Sequence, residues 1–275
     1  MTFEGTCDAS GAVELKGGLF LVGDDENNVL RVYDGNTGGP PVQTFDLSSA
    51  LGLPAGKKQA PETDIEAATP LPPLSFWMTS HGRKSSGKPD ANRFRFFATR
   101  TSEDGKDVRL EGKPYTRLLD ELLAAPQLKP FGLVPASQKA PKEEGGLNIE
   151  GLTVMEDGKS FLIGFRNPRP QGKALAVTLL NPLELLQGKP ARLGPALLLD
   201  LGARASAPCR GGGAATSSSE APRPAAMARA CSSGTGRRSG PRSSPAPTSL
   251  ASTPRPSSRT RTRTRSSCSV TTEPT

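Results

Sequence analysis

The chain has 275 residues and a formal net charge of +8. That charge does not describe a nucleic-acid-binding body: residues 203–275 hold twelve Arg against two acidic residues, +10, whereas residues 1–202 hold 23 basic and 25 acidic residues, −2. The body keeps one Cys, Cys7, which excludes an internal disulfide framework, and no apolar run approaches the about 20 residues that span a bilayer.

The first unit runs from about Phe3 to Leu53. Short β-rich runs at Ala12–Leu15, Leu19–Val22, Val29–Tyr33 and Pro41–Leu47 are separated by polar turns such as Asp24-Asp25-Glu26-Asn27-Asn28 and Asp34-Gly35-Asn36. Four short strands in some fifty residues is the content of one propeller blade. The second unit begins at Asp64-Ile65-Glu66. Strands are expected at Leu74–Met78, Phe94–Thr99 and Asp107–Leu110, with a polar loop from Lys84 to Ala91. The period then changes: Leu118, Leu119, Leu122 and Leu123 stand at helical spacing, which predicts a short amphipathic helix over 115–124 between two blades. The third unit starts at Asn148-Ile149-Glu150-Gly151. Strands are expected at Leu152–Met155, Phe161–Phe165, Ala174–Leu180 and Ala196–Leu201. Asn181-Pro182-Leu183-Glu184 reads as a helix start, with Glu184 reaching back to the cap.

A short element recurs along these units. Asn148-Ile149-Glu150-Gly151 has an altered copy in Asp64-Ile65-Glu66-Ala67 and a weaker one in Phe3-Glu4-Gly5. Each copy places a carboxylate after an apolar residue and before a small one. Recurrence at intervals of several tens of residues is the mark of radial or stacked repeats. The reading is an all-β, propeller-like domain over residues 1–202, incomplete at about three blade-like units, with short helices between blades.

From Ala203 onward the composition shifts to Arg, Ser, Ala, Pro, Gly and Thr, with no Ile, Phe, Tyr, Trp, Lys, Asp, Asn, Gln or His. Such a segment buries too little to offset the entropy of ordering its backbone. Back-translated and read one base earlier with GC-rich codons, it permits a β-rich, turn-punctuated pattern. Residues 203–275 are therefore read as a disordered tail translated out of frame. On that reading the Arg259–Arg265 run is a by-product and no nucleic-acid partner is expected; a genuine tail would restore that expectation. No charged region followed by an apolar one opens the chain, so the expectation is a cytoplasmic protein without a membrane partner.

The body resembles a bacterial family of uncharacterised proteins, domain of unknown function 3616. The resemblance rests on Cys7–Ala12, Gly23–Tyr33, Asp64-Ile65-Glu66, Ser80-His81-Gly82-Arg83, Gly145–Glu150 and Gly164–Pro168. It implies a propeller-like fold and no established activity. More distantly, the repeated element is similar to one in esterase-like phytase domains and gluconolactonase-type proteins, where a Glu at such a position faces a central channel near a divalent cation.

If the repeats are blades, Glu4, Glu66 and Glu150 converge on one axis. Carboxylates around an axis repel one another unless protons or a cation intervene, and hard oxygen donors suit Ca²⁺ or Mg²⁺. The alternative is that each Glu accepts backbone N–H groups and ties its blade to the next. Asp24 and Asp25 either add ligands or solvate a turn; Asn148 and Asn167 join them as candidate ligand contacts. His81, Arg83 and Arg166 follow equivalent strands and are candidate catalytic or anion-binding residues on one rim. No Walker loop, dinucleotide fingerprint, zinc pattern or Gly-x-Ser-x-Gly elbow occurs. The expected function is binding of an unknown small molecule or protein, with acidic channel residues holding a divalent cation. A metal-dependent phosphoesterase or esterase and a protein-interaction scaffold are the alternatives.

Overall fold

In the computed structural model, residues 1–54, 60–201 and 269–271 are described. The first strand is β1 (Thr2–Glu4). Four strands follow, β2 (Ala9–Glu14), β3 (Leu19–Asp24), β4 (Val29–Asp34) and β5 (Gln43–Asp46). The next four are β6 (Ile65–Leu71), β7 (Leu74–Thr79), β8 (Phe96–Thr101) and β9 (Val108–Tyr115). A helical insertion carries α1 (Leu118–Ala124) and α2 (Leu133–Ala136). Then come β10 (Asn148–Val154), β11 (Phe161–Asn167), β12 (Ala174–Leu179), α3 (Pro182–Leu185) and β13 (Leu193–Leu199). A last strand, β14 (Ser269–Thr271), pairs antiparallel with β1. Apart from β14, residues 203–275 lie outside the described residues, and the out-of-frame reading of the tail lies there with them.

The described residues form three four-stranded antiparallel sheets in sequence order, β2–β5, β6–β9 and β10–β13. Each is a meander, as the short turn-separated runs predict. The strand alternation sorts the core. In β7, Phe76 and Met78 join one apolar cluster with Phe161, Ile163, Phe165 and Val177 of the third sheet. Trp77, between them, joins a second cluster with Val13, Leu21, Leu30 and Val32 of the first sheet. Phe96 and Ala98 go with the first set and Phe97 with the second. The middle sheet is thus buried on both faces, which is why Leu74–Thr79 is apolar without alternating. Leu118 and Leu122, one turn apart on α1, complete the cluster on the third-sheet side.

The three sheets meet through their first strands. β6 lies between β2 and β10. The Ser10 hydroxyl donates to the Ile65 carbonyl, and the Thr69 hydroxyl accepts the Val154 N–H at 3.1 Å. Gly11 allows the approach: a Cβ there would stand 3.1 Å from the backbone of Ala67 and Ala68.

Three sequence expectations are corrected. The recurring element is itself the first strand of its sheet in β6 and β10, rather than a segment preceding strands; its carboxylates interrupt the apolar pattern and hide the strand. Phe94 precedes β8 and belongs to a 3₁₀ turn cap. Glu184 does not close a capping box on the backbone. The buried Asn181 amide instead reaches Glu184 and the Pro190 carbonyl, and its Oδ1 accepts the Arg192 N–H at 2.7 Å, so the cap residue ties two chain segments.

Phe76 is fully buried, with its ring edge-on to Phe161 at 4.8 Å. Phe76→Ala is expected to cost about 3–5 kcal/mol. Urea denaturation followed by circular dichroism measures it, and a loss under about 1 kcal/mol would mean that the two sheets do not share this core.

Candidate functional site

Each first strand begins with a β-bulge, and the bulges fall at matching positions. The register slips between Ala9 and Gly11, between Ile65 and Ala67, and again between Ile149 and Gly151. The extra residues are Ser10, Glu66 and Glu150. A bulge leaves one residue outside the ladder and re-aims its side chain, and all three line one cleft of about 500 Å³. Two residues before each bulge stand Asp8, Asp64 and Asn148, which line it too. The three aligned segments are Asp8-Ala9-Ser10-Gly11, Asp64-Ile65-Glu66-Ala67 and Asn148-Ile149-Glu150-Gly151.

This alignment replaces the first copy of the sequence repeat. Glu4 lies on β1, exposed and outside the cleft, its N–H donating to the Gly39 carbonyl. In the first sheet the bulge residue is Ser10, and the carboxylate comes instead from Asp25, just after β3. Carboxylate oxygens of Asp25, Asp64 and Glu66 lie within 4.8 Å of one another.

The electrostatics of this cluster follow from burial and crowding. Burial first, then the nearby charges of Asp8, Asp64, Asp24 and Glu26, push the Asp25 carboxyl up to about 7. Glu66 is pushed up to about 9 by burial, then by Asp64, Glu150 and Asp25, with an Asn148 hydrogen bond opposing. Burial also raises Asp64, against a Ser80 hydrogen bond and the charges of Arg93 and Lys142. One Asp25 oxygen, Oδ1, is buried with no hydrogen-bond partner among the described residues. Asp64 adopts φ +63°, a left-handed conformation uncommon outside glycine that holds its carboxylate toward the cleft side of the strand end.

Basic residues answer part of this charge. Arg93, almost fully buried, donates from Nη1 to Asp64 at 2.6 Å and from Nη2 to Glu62. Arg166 donates to Glu150 Oε1 at 2.6 Å. Lys142 also lines the cleft. Among the described residues the cleft therefore carries seven carboxyl groups, on Asp8, Asp25, Glu26, Glu62, Asp64, Glu66 and Glu150, against three basic side chains.

Among the other residues singled out in the sequence, Asn148 and Arg166 reach the cleft and the rest do not. Asp24 is buried beside it. It accepts from the Thr6 hydroxyl, the Glu26 N–H and the Asn27 amide, which makes it the organiser of its own turn. Asn167 donates to the Pro141 carbonyl. Arg83 is spent on the Ser137 and Gly87 carbonyls and the Gln138 amide, pinning two loops together. His81 is buried, at φ +52°, stacked on Phe94, with Nδ1 2.8 Å from the Thr79 carbonyl. That contact makes Nδ1 the donor, and burial keeps the ring neutral. Asp8, Glu62, Asp64, Arg93 and Lys142 escaped the sequence reading. Only Asp64 carried a usable signal, its place in the Asp64-Ile65-Glu66 copy of the repeat; Asp8 shares that position relative to a bulge, which the register alone reveals.

No family model matches the chain, and no curated protein matches it. Solved structures do. One is a luciferin-regenerating enzyme, 11% identical, with a TM-score of 0.24 over 70% of this chain and 62% of that one. The chain thus spans less than two thirds of that protein's length. A likeness this loose says nothing about activity. Among the described residues no helix is long and apolar enough to cross a membrane.

Burial holds His81 down to about 4, from an ordinary value of 6.5. The unfolded chain takes up this proton below pH 6.5 and the folded chain resists until about pH 4, so the group's contribution to stability is complete above 6.5 and lost as pH falls through that window. The loss is on the order of 3 kcal/mol. His81→Asn, which tolerates the left-handed backbone, should flatten the wild-type stability profile between pH 6.5 and 4. Equal slopes for the two proteins in pH-dependent urea titrations would show that the ring does not stay neutral.

Proposed function

We propose that the three sheets are blades of a propeller-like domain, and that the cleft at their first strands binds a small molecule with the help of a divalent cation. Asp25, Asp64 and Glu66 hold the cation. The observation that carries this reading is the buried, unpartnered Oδ1 of Asp25, in reach of two further carboxylates. A buried carboxylate oxygen without a donor is costly, and the remedy open to it is a proton or a cation. The donors are all oxygens, which suits Ca²⁺ or Mg²⁺ over softer ions. The sequence resemblance to the uncharacterised family fits a domain of this shape and adds no activity.

Hydrolysis of phosphate or carboxylic esters is less well supported. Of the three candidate catalytic residues only Arg166 lines the cleft, and it is ion-paired. A protein scaffold would have no use for a crowded set of half-buried acids.

Calorimetric titration with CaCl₂ and MgCl₂ at pH 8 should show saturable binding. Asp25→Asn and Glu66→Gln should each weaken it at least about tenfold. Glu66→Gln has a second signature. Because the folded pKa of Glu66 is raised to about 9, its ionisation costs the cation-free protein stability as pH rises from 4.5 toward 9. The variant should therefore be more stable than wild type at pH 8 without cation, by a few kcal/mol, and less responsive to added Ca²⁺. Wild-type protein whose melting temperature is unmoved by millimolar Ca²⁺ and Mg²⁺ would sink the reading.

A further inference from the structure

Asn148 sits at the start of β10, is 6% exposed, and lines the same cleft from the third sheet. Its amide is committed on one side only. Nδ2 donates to Glu150 Oε1 at 2.9 Å. Glu150, ion-paired to Arg166, accepts and does not donate, so it is met by the N–H₂ end of the amide. That bond fixes the amide's orientation and leaves Oδ1 on the side away from Glu150. Among the described residues it is buried there with no hydrogen-bond partner. A neutral, buried oxygen on a side chain that lines the cleft with Asp25, Asp64 and Glu66 is open to a donor or a cation.

The orientation of that amide has its own support. Glu150 is buried and is gripped on the same Oε1 by Arg166 Nη1 at 2.6 Å. Arg166 stands on β11, beside β10, and its side chain is 40% exposed, so the pair spans the cleft wall and its mouth. Arg166 fixes Glu150, and Glu150 fixes Asn148. Outer partners that orient a ligand in this way are a general feature of metal centres.

We infer that Asn148 supplies Oδ1 as a fourth oxygen ligand to the cation of the cleft, and that Glu150, clamped by Arg166, is a positioning residue for it. The inference rests on the cation reading above and deepens it. It changes the site from one shared by two sheets to one shared by three. The cation then ties β3 and β6 to β10. It also assigns Glu150 a role other than that of a direct ligand. Ca²⁺ takes six to eight oxygens and Mg²⁺ six, so four protein oxygens leave positions open on the cleft side for a ligand's own oxygens.

The test uses the full chain and Tb³⁺, a luminescent ion with a Ca²⁺-like preference for oxygen. Lifetimes in H₂O and D₂O count the waters bound directly to the ion. If wild type binds neither Ca²⁺ nor Tb³⁺, the cation reading itself fails. If it binds, Asn148→Ala should add about one bound water and weaken binding by about 10–100-fold. Asn148→Asp keeps an oxygen at the same place and should hold the wild-type water count, which covers the case in which the alanine variant folds poorly. Glu150→Ala should also weaken binding, and the double variant Asn148→Ala/Glu150→Ala should lose much less than the product of the two single losses. An unchanged water count and affinity in Asn148→Ala overturns the inference for Asn148. Strictly multiplicative losses in the double variant overturn the positioning role of Glu150.

Discussion

The close approach of three first strands governs this structure. β6 can lie against β2 because Gly11 opposes the backbone of Ala67 and Ala68 without a side chain, and hydroxyls of Ser10 and Thr69 bridge the strands where ladder bonds cannot form. The bulges at the starts of these strands then aim their side chains into the space between them. Crowding of acids in the cleft is a consequence of backbone geometry, paid for by the apolar clusters on either side of the middle sheet. Phe76 and Trp77, adjacent in sequence and opposite in direction, hold the two neighbouring sheets to it.

The arginines show how that crowding is limited. Arg93 neutralises Asp64 from within and Arg166 neutralises Glu150 from the mouth, so the least answered carboxyls are Asp25 and Glu66. These two are pushed furthest toward the protonated form. Partial neutralisation by Arg93 and Arg166 limits how much of the acidic cluster is left uncompensated.

Much of this was legible in the chain. Turn residues and β-rich runs outline the strands of the first sheet because the periods are short and the punctuation is dense. Leu118 and Leu122 declare α1 by spacing alone. The repeated Ile-Glu step locates Glu66 and Glu150. What was hidden is what depends on register. Ser10 carries no acid, so a search for carboxylates passed over Asp8-Ala9-Ser10-Gly11 and settled on Glu4, which β1 carries elsewhere. Whether a Glu on a first strand lines the cleft is decided by a bulge, and bulges leave no mark in a single sequence. Arg93 and His81 lie on loops whose folding is set by Arg83 and the Thr79 hydroxyl, long-range bonds invisible to local pattern. His81 looked like an acid–base residue because it is the one histidine of the chain; the fold seals it against Phe94.

The chain also has one tryptophan, Trp77. Its indole N–H donates to the Thr99 hydroxyl at 2.9 Å, and its ring packs where a side chain at Gly23 would touch it at 3.0 Å. Gly23 is two residues from Asp25 on the same stretch of backbone. Tryptophan fluorescence, excited selectively over the two tyrosines, is therefore a report from a single seam, the one between the first and middle sheets. It is blind to the seam with the third sheet. A spectral change that accompanies occupancy of the cleft would come from the Asp25 side, and events confined to β10 would pass unseen, so the molecule carries a built-in means of telling its two inter-sheet boundaries apart.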